Sequence, residues 1–182
     1  AGFDPGFKYV GYSLVRFEPD GTQVIECLNT VYTEKSERKG SVRHASDMFR
    51  RSQIVWAEIR SKWLNLPNAI CTETPPYLRN SSITAAIHLV SGALTLYADI
   101  LKVPLLETTP GEVKLCLTKK RSATKEEIIA AMTKIYPNAT WPVSRGKGCE
   151  STEMASHAAD SLAVIESCLC DPVIIALRGL RK

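Results

Sequence analysis

Three acids sit at similar places in this 182-residue chain. Asp4 ends the short apolar run Gly2-Phe3, just before a Pro5-Gly6 turn. Glu73 ends a second run, Ala69-Ile70-Cys71-Thr72, shortly before Pro75-Pro76. Asp160 follows His157 by three residues in Ser156-His157-Ala158-Ala159-Asp160, so the two share one face of a helix. Carboxylates at buried strand ends are costly unless a cation or donor meets them. Acids that converge on one point also repel each other, and a divalent cation relieves both costs. Hard oxygen ligands with room for water and phosphate suit Mg²⁺ or Mn²⁺. Two such ions about 4 Å apart can clamp the attacking and leaving oxygens of a phosphoryl displacement. Each residue taken alone also fits an ordinary role. Asp4 can cap a turn, Glu73 can be a solvated strand end, His157 can neighbour a helix N-cap, and Asp160 can be a surface acid.

The elements around these residues follow from turn signals and periodicity. Pro5-Gly6 turns the chain into an alternating strand over 10–17, and Asp20-Gly21 turns it into a third strand over 22–32. Met48, Ser52, Val55, Ile59 and Trp63, with Phe49 and Trp56 alongside, predict a helix over 44–64. A buried strand over 69–73 follows, then a helix from Ser81 or Ser82 to about Leu101 with the stripe Ala86, Leu89, Val90, Ala93, Tyr97 and Ile100. A short strand over 103–107 and helices over 110–117 and 125–135 come next. A long loop is expected over 137–153, and a last helix over 156–170. Strands first, then alternation of helix and strand, predict one α/β domain with a mixed sheet and helices on its faces.

Composition excludes disordered, collagenous and disulfide-scaffold classes, since 45% of residues are hydrophobic and 23% charged. The net charge of +4 is unevenly spread. Residues 34–62 and 112–148 each carry eight Lys or Arg, against four and three acids. The remainder carries seven basic and twelve acidic residues, so two basic stretches face an acidic rest. The six cysteines form no C-x-x-C pair, and we expect buried free thiols in a reducing compartment. No run approaches the roughly 18 apolar residues of a membrane helix, and no signal-peptide pattern is present. The chain opens without Met, which leads us to expect residues of the first strand ahead of Ala1.

In their order, these segments resemble the RuvC family of Holliday junction resolvases, within the RNase H-like superfamily. Gly2-Phe3-Asp4-Pro5-Gly6 with Gly11-Tyr12-Ser13-Leu14-Val15 is similar to the family's opening. Thr72-Glu73 with Asn80-Ser81 resembles its second acidic block. Thr109-Pro110-Gly111-Glu112-Val113-Lys114 and Ala123-Thr124-Lys125 resemble its lysine-bearing segments, and His157-Ala158-Ala159-Asp160-Ser161-Leu162-Ala163 its closing pattern. The likeness runs from residue 2 to about 167. It implies an RNase H-like mixed five-stranded sheet flanked by helices on both faces, in one nuclease domain over 1–182. Two features depart from the family pattern. Pro75-Pro76-Tyr77 places the expected aromatic one position late, and the loop over 137–153 is longer than expected.

The resemblance implies a metal-dependent endonuclease that resolves four-way DNA junctions by paired symmetric nicks. Asp4, Glu73, His157 and Asp160 take the positions of ligands for two Mg²⁺ or Mn²⁺ ions. His157 stands where the family often has Asp and sometimes His, and an imidazole there leads us to expect that Mn²⁺ serves at least as well as Mg²⁺. Lys114 matches a basic residue near the scissile phosphate and is expected to stabilise its developing charge. Lys119, Lys120, Arg121 and Lys125, with Arg79 and Asn80, are expected along the DNA backbone, although a solvated charge run has the same composition. Tyr77 either stacks on an unpaired base or packs under its loop. Two symmetric cuts need two sites, so the resemblance implies a homodimer through the second helix. There, Ser91-Gly92-Ala93 permits either a close partner or close packing on the chain's own sheet. The expected setting is the cytoplasm of a bacterial or phage-infected cell, an organellar version staying open, with no membrane partner. The alternatives are a RuvX-like nuclease on other branched DNA, RNA or RNA–DNA hybrids, an RNase H-like phosphotransferase or ATPase, and a binding module without catalysis.

Overall fold

A computed structural model of the chain describes residues 1–36, 44–62, 67–74, 81–143 and 151–179. Its elements are β1 (Gly2–Asp4), β2 (Tyr9–Phe17), β3 (Gln23–Tyr32), α1 (His44–Lys62), β4 (Ile70–Glu73), α2 (Ser81–Leu101), β5 (Leu105–Thr108), α3 (Pro110–Thr118), α4 (Lys125–Ile135), α5 (Ser151–Cys168) and α6 (Pro172–Gly179). The strands form one sheet in the order β3-β2-β1-β4-β5. The first three strands pair antiparallel, because tight turns join them; β1–β4 and β4–β5 pair parallel, because helical crossovers lie between them. Gly21 supplies the positive φ of +88° that the β2–β3 turn needs. Asp20 Oδ1 accepts from the Thr22 N–H at 2.8 Å in the same turn.

Alternation along the strands divides the core between two faces. Phe3, Val10, Tyr12, Leu14 and Ile70 pack against Val55 and Ile59 of α1 and Val90, Leu94 and Ala98 of α2. On the other face, Val15 and Cys71 meet Val113, Ile128, Met132, Ala159, Leu162, Ala163 and Ile174 from α3, α4, α5 and α6. Helix α5 is buried nearly all round, which is why its interior positions are almost all small or apolar. Fully burying a side chain such as Leu162 or Met132 is worth about 1.5–3 kcal/mol.

Several expectations change. Helix α5 begins at Ser151, so part of the expected 137–153 loop is helical; residues 144–150 lie outside the described residues. Helix α6 is an addition: Asp171 ahead of Pro172 caps it by accepting from the Val173 N–H at 2.8 Å. In α1, Phe49 points outward with 57% exposure, and Asp47 and Arg51 are buried instead. In α2 the core face is Ala86, Ile87, Val90, Leu94 and Ala98, and Ile100 is 73% exposed. Apolar residues on several sides of α2 leave its period ambiguous as to which side meets the sheet. This helix also corrects the reading of apolar runs, for it has 21 residues, and an 18-residue window within it, at a mean hydropathy of 1.4, is long and apolar enough to cross a membrane by length and composition. Among the described cysteines only Cys71 and Cys168 are buried; Cys116 and Cys170 are exposed because each ends up on the outer side of its helix or turn.

Candidate active site

Asp4 ends β1 in the centre of the sheet, where the following turn is closed by the Gly6 N–H donating to the Asp4 carbonyl at 2.9 Å. Helix α5 crosses this strand end and brings His157 and Asp160 to it. Ligand atoms of Asp4, His157 and Asp160 lie within 4.8 Å of one another. His157 Nδ1 is 2.5 Å from Asp4 Oδ2. Two glycines make the approach possible. A Cβ on Gly11, which pairs with Asp4 in the β1–β2 register, would fall 1.8 Å from the His157 carbonyl oxygen. A Cβ on Gly2 would fall 2.0 Å from the Ser161 carbonyl oxygen. The Thr30 hydroxyl donates to the Met154 carbonyl at 2.7 Å and ties the start of α5 to β3.

Glu73, at the end of β4, lies outside that group of three but feels the charges of Asp4 and Asp160. Burial, then the negative charges of Asp4 and Asp160, push the half-buried Glu73 up to about 8, against the pull of Lys114. Burial and Asp4 push Asp160 up to about 7, opposed by His157, Lys125 and Lys114. Burial pulls the His157 imidazole down, but the hydrogen bond and charge of Asp4, with the charge of Asp160, leave it raised overall. Glu73, Asp160 and His157 are therefore all shifted toward holding their protons in the absence of a cation. Lys114 of α3 and Lys125 at the start of α4 stand close enough to act on these groups.

Three neighbours had not been singled out in the sequence. The Tyr9 ring stacks on His157, with centroids 5.5 Å apart and planes at 14°. Buried Arg51 donates to the Phe7 carbonyl at 3.1 Å and to the Thr33 hydroxyl and carbonyl at 2.9 and 3.2 Å. Its guanidinium also lies over the Phe7 ring at 3.8 Å, so α1 grips the turn that follows Asp4. Glu153 Oε2 stands 3.6 Å from His157 Nε2 and 3.4 Å from Lys125 Nζ. Its i,i+4 spacing to His157 carries meaning only if the helix starts before it, and 153 fell in the expected loop.

Not every expected DNA contact converges here. Lys119, Lys120 and Arg121 are exposed between α3 and α4. Lys119 caps α3 in the left-handed conformation, and Lys120 pairs with Glu127 at 3.4 Å. Tyr77, Arg79 and Asn80 lie outside the described residues.

No family model matches the chain. The crossover junction endodeoxyribonuclease RuvC of Moorella thermoacetica is 28% identical over 166 residues, covering 90% of this chain and 86% of that protein. RuvC of a Synechococcus species is 28% identical over 171 residues, with 90% and 92% covered. The chain is thus similar to RuvC proteins over most of its length. Thermus thermophilus RuvC in complex with a Holliday junction substrate superposes with a TM-score of 0.60 at 22% identity, over 92% of this chain and 90% of that one. The yeast mitochondrial Holliday junction resolvase superposes with a TM-score of 0.63 at 18% identity, over 99% and 80%. The mixed five-stranded sheet with its helices is thus the RNase H-like fold of RuvC.

Proposed function

We propose that this chain is a divalent-metal-dependent endonuclease that resolves four-way DNA junctions by paired symmetric nicks. The observation that carries the reading is the convergence of Asp4, His157 and Asp160 on one point, in a chain related to RuvC. The donor set fits a hard divalent cation. Two carboxylates and an imidazole are gathered within 4.8 Å, Glu73 adds a third acid, and two of the acids are held protonated near neutrality without a counter-charge.

Asp4 would be shared between two ions, with Glu73 holding one and His157 and Asp160 the other. When bound, such ions supply an activated water and neutralise charge on the phosphate. The chain's own groups do the rest. Lys114 meets the charge that develops on the phosphate oxygens. Gly2 and Gly11 seat α5 so that the ligands stay in register. Arg51 and Tyr9 hold the turn after Asp4 and the plane of the imidazole. Lys119, Lys120, Arg121 and Lys125 serve as DNA-backbone contacts, and Tyr77, Arg79 and Asn80 would add further contacts to DNA. The whole chain would act as one nuclease domain.

A homodimer would supply the second site. The outer side of α2 supports it: Leu96 is 67% exposed, Ile100 is 73% exposed, and among the described residues nothing lies within 4 Å of a Cβ placed on Gly92. Relatives from bacteria and from a mitochondrion favour an enzyme of a DNA-containing compartment. The test is one gel: the protein with Mn²⁺ against a four-way junction, a duplex, a flap and an RNA–DNA hybrid. Preferential cutting of the junction is expected, and preferential cutting of the hybrid would favour an RNA-directed nuclease instead.

A further inference from the structure

Glu153 is an acid beside the ligand group that the proposed reaction leaves without a role. It stands on the first turn of α5, one turn ahead of His157, and faces both His157 Nε2 and Lys125 Nζ. The imidazole is thereby enclosed on three sides. Nδ1 faces Asp4 Oδ2, Nε2 faces the Glu153 carboxylate, and the Tyr9 ring lies nearly parallel to it. A histidine offers an ion only the ring nitrogen that carries no proton, and the hydrogen bond at the other nitrogen decides which one that is. A carboxylate in that outer position fixes the tautomer and orientation and makes the ligating nitrogen more basic.

We propose that Glu153 is a positioning residue for His157: its carboxylate, 3.6 Å from Nε2, draws in to accept the Nε2–H once the Nδ1 proton facing Asp4 is released to solvent, so that Nδ1 is presented to a divalent cation beside Asp4 and Asp160. The inference rests on the metal-dependent reading above. Tyr9 sets the plane of the ring, and Glu153 sets which nitrogen points inward. Lys125, 3.4 Å from the same Glu153 oxygen that faces His157, balances its charge. Glu153 can therefore orient the ring without adding a full negative charge to a group already crowded with acids. Neither Lys125 nor Glu153 is deeply buried, so replacing either leaves the core packing untouched.

The test uses Mn²⁺ binding to the full chain without DNA, followed by calorimetry, for the wild type, Glu153→Ala, Glu153→Gln and Lys125→Ala. Glu153→Ala is expected to weaken binding about 10- to 100-fold. Glu153→Gln, which keeps an acceptor oxygen, should restore part of it, and Lys125→Ala should not weaken it. In ¹⁵N-histidine spectra of the Mg²⁺-loaded protein, with three histidines in the chain, His157 should show the Nε2–H tautomer, and Glu153→Ala should lose that preference. An unchanged affinity and an unchanged tautomer in Glu153→Ala would overturn the proposal and leave the metal reading standing. Equal weakening by Lys125→Ala and Glu153→Ala would assign the effect to the ion pair and overturn it too. A wild type that binds no Mn²⁺ would overturn both readings.

Discussion

His157 Nδ1 and Asp4 Oδ2 lie 2.5 Å apart and join α5 to β1. The contact is part of a group whose protons and cations compete. Glu73 is raised to about 8 and Asp160 to about 7, so the folded chain keeps protons that the unfolded chain releases near pH 4. Stability from these acids is full below that range and is lost as pH rises toward 7 and 8. His157, also raised, acts in the same direction: its contribution is present below the ordinary imidazole range and is lost above its folded value. The metal-free protein should therefore melt at a lower temperature at about pH 8.5 than at about pH 6 because of this group. Metal binding displaces those protons, so the Tm gain from saturating Mn²⁺ should grow over the same interval. Differential scanning fluorimetry at both pH values measures it, and a gain that shrinks with pH would count against the cluster.

Gly11→Ala tests how α5 is seated. The added methyl would fall 1.8 Å from the His157 carbonyl oxygen, so helix or strand must move. Overpacking of this kind costs about 1–3 kcal/mol, a Tm loss of roughly 2–12 °C at this chain length. Because the displaced residue is His157 itself, Mn²⁺ affinity should fall with it. Calorimetric binding that stays at the wild-type value would show that the close approach is not what positions the ligands.

Much of this was legible in the residues. Asp4, Glu73 and Asp160 each end or sit in short apolar segments, and that placement alone predicted strand ends and a helix face. Helix α4 begins at Lys125 as expected, and a capping box between Thr124 and Glu127 fixes that start. What stayed hidden depended on partners distant in sequence. Gly2 and Gly11 carry meaning only once α5 lies against them, and Arg51 only once Phe7 and Thr33 are seen beneath it. Glu153 was lost because Gly, Ser and charge around 144–151 outweighed the helical spacing behind it. The outward turn of Phe49 and Ile100 reflects helices with apolar residues on more than one side, where periodicity does not choose a face.

Lys119, Lys120 and Arg121 are exposed, and the Lys120–Glu127 pair at 3.4 Å is a surface contact of small worth. Each is therefore available to a phosphate. Neutralising all three should weaken junction binding and flatten its salt dependence by about three in the log–log slope. Fluorescence anisotropy across a salt series gives the slope directly. A slope unchanged by the triple substitution would assign these residues to plain solvated surface.

Leu96→Glu combined with Ile100→Glu places charge on the exposed side of α2 and leaves Val90, Leu94 and Ala98 on the sheet. The expected product is a folded monomer by light scattering, with single nicks in place of coordinated pairs. A wild-type protein that is itself monomeric at micromolar concentration would defeat the dimer outright.

The central claim is that Asp4 anchors a metal-dependent cut in junction DNA. The most direct measurement is cleavage and binding of an end-labelled four-way junction, with Mn²⁺, by the wild type and by Asp4→Asn. The account predicts nicks at symmetric positions in two opposed strands for the wild type, and for Asp4→Asn no cleavage with junction affinity retained. Nicking that survives in Asp4→Asn would contradict it.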